Sequence, residues 1–295
     1  MKWSVFSTFA ALSCALLQAQ GSRERLLADA NAAYRSLHSG EAVSLYREYL
    51  AHYPDRADVR VYMGGALLNL DQLDPALEEA NRAIALDPRY AKSYILAGRV
   101  YSAREQWDAA QRLFEKAQHL DPRDLDAWYF SGRAFYVANR FEPAVAAFKQ
   151  ALRAGAEQSR VYENLALSQD ALGRYDAAEK SFRRAVDLAN GASRPYLAYG
   201  AFLFRQSRAS ESLPLLRRAL GLAPDDVDVR FELGRVLYHQ NSLVEAARAL
   251  EPALSSNECR IHNLLIRIYS ARGESGPAAA EVKAIENCKS GPERP

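Results

Sequence analysis

Residues 91–124 read AKSYILAGRVYSAREQWDAAQRLFEKAQHLDPRD, and their spacing of small and large side chains returns along almost the whole chain. Counted from Arg23, the eighth position of successive repeats is Ala30, Gly64, Gly98, Gly132, Ala166, Gly200, Gly234 and Ile266. The twentieth is Ala42, Ala76, Ala110, Ala144, Ala178, Ser212, Ala246 and Ala278. The twenty-seventh is Tyr49, Ala83, Ala117, Ala151, Ala185, Ala219, Ala253 and Ile285. The period reads as 34 residues without insertion or deletion, in repeats placed near 23, 57, 91, 125, 159, 193, 227 and 259, the last of these standing 32 residues after the one before. Small residues at such fixed offsets predict two helices in close approach once per repeat, with successive pairs stacked alike.

Composition agrees with an all-α chain. It is rich in aliphatic and helix-favouring residues and lacks β-branched alternating runs. A one-dimensional stack has no internal domain boundary, so length alone does not divide it. The formal net charge of +2 names no polyanion as a partner.

The first residues differ in kind. Lys2 precedes an apolar run from Val5 to Leu17, and Ala19 and Gly21 supply small residues at a cleavage site, so 1–21 reads as a secretory signal. Cys14 leaves an alternative open, because Leu12-Ser13-Cys14 faintly resembles a lipoprotein cleavage box. The repeats are expected over 22–290, and 291–295 as a disordered tail. Asp74, Asp108, Asp176 and Ser210 recur where a second helix begins and read as its N-caps, with Pro75, Pro143 and Pro277 one residue later.

No catalytic constellation is visible. The five His residues, at 38, 52, 119, 239 and 262, form no ligand spacing with Cys, carboxylate or one another, and read as polar surface. Glycine-rich phosphate loops and nucleophile elbows are missing, so the reading is non-enzymatic, with no cofactor and no metal.

These residues resemble the tetratricopeptide repeat family over about nine tenths of the chain. Tyr94, Ala97, Gly98, Tyr101, Ala110, Phe114, Ala117 and Pro122 carry the likeness best, followed by Trp128, Gly132, Phe135, Ala144, Phe148 and Ala151. The resemblance implies a right-handed α-solenoid of about eight helical hairpins, whose first helices line a concave groove. In that register the groove receives Arg99, then Tyr129, Arg133 and Tyr136 from the fourth repeat. The sixth supplies Arg194, Phe204 and Arg205, the seventh Phe231, Arg235, Tyr238 and His239, and the eighth Arg260, Asn263 and Arg267. Arg and aromatic side chains are enriched where protein partners anchor. The alternative is that some aromatics pack between neighbouring helices. One variant of the family grips a terminal carboxylate with Lys, Asn and Arg. Here Asn164 and Arg194 match it in type, and the rest does not.

The expected role is therefore an exported interaction scaffold that takes a protein or peptide partner with acidic segments. A membrane-anchored, lipoprotein-like envelope assembly factor is the alternative. Acidic residues interleave with the basic ones, which disfavours nucleic acid, and a membrane enters only through lipidated Cys14. The oligomeric state is not readable. Cys259 opens the first helix of the eighth repeat and Cys288 closes its second, about equally far from the turn at Gly273. Antiparallel helices bring such ends together, so a Cys259–Cys288 disulfide is expected in an oxidising compartment.

Overall fold

The computed structural model describes residues 21–155, 157–286 and 288. Cys14 and the rest of the leader before Gly21 lie outside the described residues, as does the tail 291–295. The described chain falls into two compact halves, divided between 155 and 157, and each is treated by itself.

The N-terminal half holds α1 (21–35), α2 (Ser39–His52), α3 (Ala57–Asn69), α4 (Leu73–Leu86), α5 (Ala91–Ala103), α6 (Trp107–Leu120), α7 (Leu125–Val137) and α8 (Phe141–Arg153). The C-terminal half holds α9 (Ser159–Ala171), α10 (Tyr175–Asp187), α11 (Arg194–Arg205), α12 (Ala209–Leu222), α13 (Val227–His239), α14 (Leu243–Leu250), α15 (Cys259–Ala271) and α16 (Ser275–Ile285). Among the described residues there is no β-strand, and odd and even helices pair as hairpins.

The periodic small residues are the contact points of these hairpins. Ala42, Ala76, Ala110, Ala144, Ala178, Ser212 and Ala246 are fully buried, as are Ala83, Ala117, Ala151, Ala185 and Ala219. The eighth position faces the twenty-fourth. A Cβ on Gly98 would stand 2.6 Å from the Phe114 ring, and one on Gly132 would stand 2.7 Å from Phe148. The same holds for Gly200 with Leu216 and Gly234 with Leu250, at 2.8 and 2.7 Å. Real Cβ atoms do not sit so close, so glycine there is what lets a large side chain seal the hairpin. In the second repeat the twenty-fourth residue is the small Ala80, and Leu96 of the next repeat reaches over Gly64 instead.

Every hairpin turns through one left-handed residue at its fifteenth position. These are Leu37, Asp71, Glu105, Asn139, Gly173, Ser207, Asn241 and Gly273, with φ between +58° and +75°. A tight helix–turn–helix needs this reversal more than it needs a particular side chain there. The first helix is tied back by its fourth residue. The Tyr94 hydroxyl donates to the Pro88 carbonyl at 3.1 Å, the Trp128 indole N–H to that of Pro122 at 3.0 Å, and Arg60 to that of Pro54.

Two expectations need correction. Asp74, Asp108, Asp176 and Ser210 lie inside the first turns of their helices and are not N-caps; the cap residues are Gln72, Gln106, Arg174 and Arg208, none with a side-chain cap bond. The acids favour the positive helix end through the dipole, and Asp74 also pairs with Arg104. True side-chain caps open two first helices instead: Asp124 accepts from Asp126 N and Ala127 N, and Asp226 from Asp228 N and Val229 N. The uninterrupted period also fails, since α13 starts at Val227 and α15 at Cys259, 32 residues on. The loss falls in the second helix of the seventh repeat. There α14 stops at Leu250 and gives way to a 3₁₀ stretch, Glu251–Ser256, containing Pro252, which has no N–H to continue the α pattern.

A polar cluster ties α10 to the start of α12. The Glu179 carboxylate accepts from Arg208 at 2.7 and 3.1 Å, from Arg183 at 2.7 Å and from the Tyr199 hydroxyl at 3.0 Å. Arg208 first, against the opposing effect of burial and with help from Arg183 and Tyr199, lowers the Glu179 pKa to about 2. An unfolded Glu titrates near about 4.3. Its stabilisation is therefore complete above that value and is lost as pH falls toward 2. Glu179→Gln should melt lower than wild type at pH 7, with the gap closing between about pH 4.5 and 2. Parallel melting curves for the two proteins across that range would remove the cluster from the account.

Candidate functional site

An open recess of about 530 Å³ lies on the first helices of the last three repeats. Its floor is Phe204 from α11, Phe231 and Tyr238 from α13, and Leu264 from α15. Around these stand Arg235 and His239 from α13, and Arg260, Asn263 and Arg267 from α15. Successive first helices lie side by side, so residues a turn apart on each helix converge on one face.

The guanidinium of Arg235 sits 5.2 Å from the Phe204 ring centroid and 5.7 Å from that of Phe231, and Arg260 lies 4.8 Å from Phe231. The His239 ring meets Phe204 edge-on at 5.4 Å. Stacking on the rings holds the two guanidinium groups in place. Arg235 gives one nitrogen to Glu232, at 2.9 and 3.0 Å. Arg260 donates to Asp228 and Glu258, both at 2.6 Å. Burial alone would lower the Arg260 pKa, but the two carboxylates outweigh it and hold the group above its ordinary value. Arg267 is exposed at the rim. No carboxylate lines the recess, while three guanidinium groups do.

Phe204, Phe231, Arg235, Tyr238, His239, Arg260, Asn263 and Arg267 are thus brought together among the groove residues expected from sequence. The others are placed elsewhere. Tyr129 is a correction: it is only 6% exposed and packs against Phe130 and Phe148, so it fills the hairpin and does not face a ligand. In the same half Arg99 covers the Phe130 ring at 4.6 Å, Tyr136 meets Phe141 at 5.7 Å, and Arg133 is exposed. Arg194 pairs with the buried Glu163 at 2.6 Å and Arg205 with Asp170 at 2.5 Å, so both fasten α11 to α9. Asn164 spends its amide on the Arg160 carbonyl at 2.8 Å. Leu264 was not on the expected face, since only neighbouring helices show that its position is floor. His262 is also corrected: it is buried, not surface, and its Nδ1 meets Glu281 Oε2 at 2.6 Å.

At the chain's end the Cα atoms of Cys259 and Cys288 stand 5.1 Å apart, within the span of a disulfide.

The profile of the family described as "Tetratricopeptide repeat" matches residues 27–91, 95–159, 132–193 and 203–258. The chain belongs to the tetratricopeptide repeat family. Its hairpins and their small-residue contacts are this family's, and the fold is that of a protein–protein interaction scaffold. The array is similar in structure to the crystallised hetero-tetramer "APC/C hetero-tetramer Cut9-Hcn1", with TM-score 0.67 and 19% identity over 88% of this chain. It spans about half, 52%, of that longer chain, and the likeness is one of fold. Two others are "YrrB: a TPR protein with an unusual peptide-binding site" (TM-score 0.46, 20% identity, 62% of this chain and 95% of that one) and MamA (0.44, 18%, 57% and 91%). Comparison with curated proteins finds no match.

Proposed function

We propose that this tetratricopeptide repeat array is an exported, non-enzymatic scaffold that captures an extended protein segment on its first-helix face. The recess of the last three repeats is its best-developed contact. One observation carries this reading: aromatic floor and guanidinium edges meet where no carboxylate lines the wall. Such a surface suits a segment that sets an apolar side chain on Phe204, Phe231 and Leu264 and carboxylates on the arginines. Export rests on Lys2, the Val5–Leu17 run and the small residues Ala19 and Gly21, and it would allow Cys259 and Cys288 to bond. Intact mass of the mature protein tests it. A start near Gln20 or Ser22 supports a soluble exported form, and a lipid on Cys14 supports the anchored alternative.

Affinity purification of partners from the native host tests the recess. Arg235→Glu with Arg267→Glu should reduce partner recovery by about tenfold or more, and added salt should weaken what remains. Arg248→Glu is the control, because Arg248 is exposed on the second helix α14. Arg183 would be a poor control, being engaged with Glu179 and Tyr199. Equal recovery by the double variant and the wild type would discard the recess as the contact.

A further inference from the structure

The last helix is fastened unlike the other second helices of its half. In α10, α12 and α14 the twenty-fourth residue is fully buried: Phe182, Leu216 and Leu250. Its counterpart in α16 is Val282, which is 54% exposed, and Ala278 is the one residue of α16 that is buried. Leu250 closes against Gly234, whereas α15 carries Ile266 at that position. By contrast α15 is sealed into the core by Ile261, Leu265 and Ile268, all fully buried alongside Leu233, Val236 and Leu250. Besides Ala278, which joins the core, the side-chain ties on α16 are the Cys259–Cys288 pair at one end and the bond from His262 Nδ1 to Glu281 along its length.

We propose that α16 is a redox-released latch behind the recess, resting on the Cys259–Cys288 bond inferred above. Both cysteines are partly exposed, so a dithiol reaches them. In the exchange the S–S bond breaks and each sulfur ends as a thiol. The two electrons and two protons come from the dithiol, which leaves as a disulfide. Cys259 is the first residue of α15 and adjoins Arg260. Reduction therefore frees α16 and loosens the helix turn that presents Arg260 and Asn263, while the core side of α15 stays docked.

The test is hydrogen exchange with mass spectrometry on the full chain, oxidised and then treated with dithiothreitol, with Cys288→Ser as a second route to the unbonded form. Amides of α16 should exchange at least about tenfold faster without the bond, those of the first turn of α15 less so, and those of α13 at an unchanged rate. Reoxidation of the wild type should restore protection. Equal protection of α16 in both forms overturns the proposal. So does acceleration extending through α13, which makes the bond a general staple, or two free thiols in protein purified from its native compartment. The recess itself is judged separately, by charge reversal at a fixed redox state.

Discussion

Gly98→Leu is expected to destabilise the N-terminal half by about 3 kcal/mol, at the upper end of the usual cost of overpacking. The place already taken is specific. A Cβ there would lie 2.6 and 2.9 Å from two Phe114 ring carbons, and that ring is fully buried with no room to swing aside. Phe114→Ala alone should cost about 3–5 kcal/mol by leaving a cavity. In the double variant the leucine occupies part of the space vacated by the ring, so the combined loss should fall well short of the sum. Additive losses in denaturant melts would show that Gly98 and Phe114 do not meet, and the hairpin contact assigned to these positions would fall.

Cys288→Ser is expected to cost about 3–4 kcal/mol in oxidised protein, from the entropy of the closed loop, less any strain in the bond. The sequence separation is 29 residues, enough for a sizeable entropic term. The loss should appear as early, separate release of α16, which buries only Ala278, while α15 stays docked. Under reducing conditions wild type and variant should melt alike. A variant that matches the oxidised wild type would mean that the bond does not form or does not matter.

Much of the architecture was legible because a repeat states the same contact many times. A single glycine such as Gly98 says little, but small residues at the eighth, twentieth and twenty-seventh positions leave only close helix pairs as an explanation. The placing of Cys259 and Cys288 was readable for a similar reason, since an antiparallel hairpin aligns residues equally far from its turn. The N-caps were misread because a first-turn Asp and a capping Asp look alike until the helix start is known to within one residue. The shortened seventh repeat was already implicit in the starts at 227 and 259, but the period was read as unbroken because Ile266 and Ile285 make the last repeat atypical at its small-residue positions.

The candidate site was only half readable. Sequence by itself determined the repeat, the helix pairs and which residues belong to first helices, because side-chain volume at a fixed period reports on contacts within one hairpin. Whether a first-helix aromatic lines a surface or fills the interior depends on the neighbouring repeat, which periodicity does not encode. Tyr129 therefore packs inward against Phe148 while Phe231, three residues before the contact glycine Gly234 of its own helix, lies beneath Arg260. Charge pairing was likewise decided in three dimensions. Arg194 and Arg205 find Glu163 and Asp170 on the adjacent helix, whereas Arg267 stands at the rim of the recess, and only the distances between helices separate a structural arginine from one that can meet a partner.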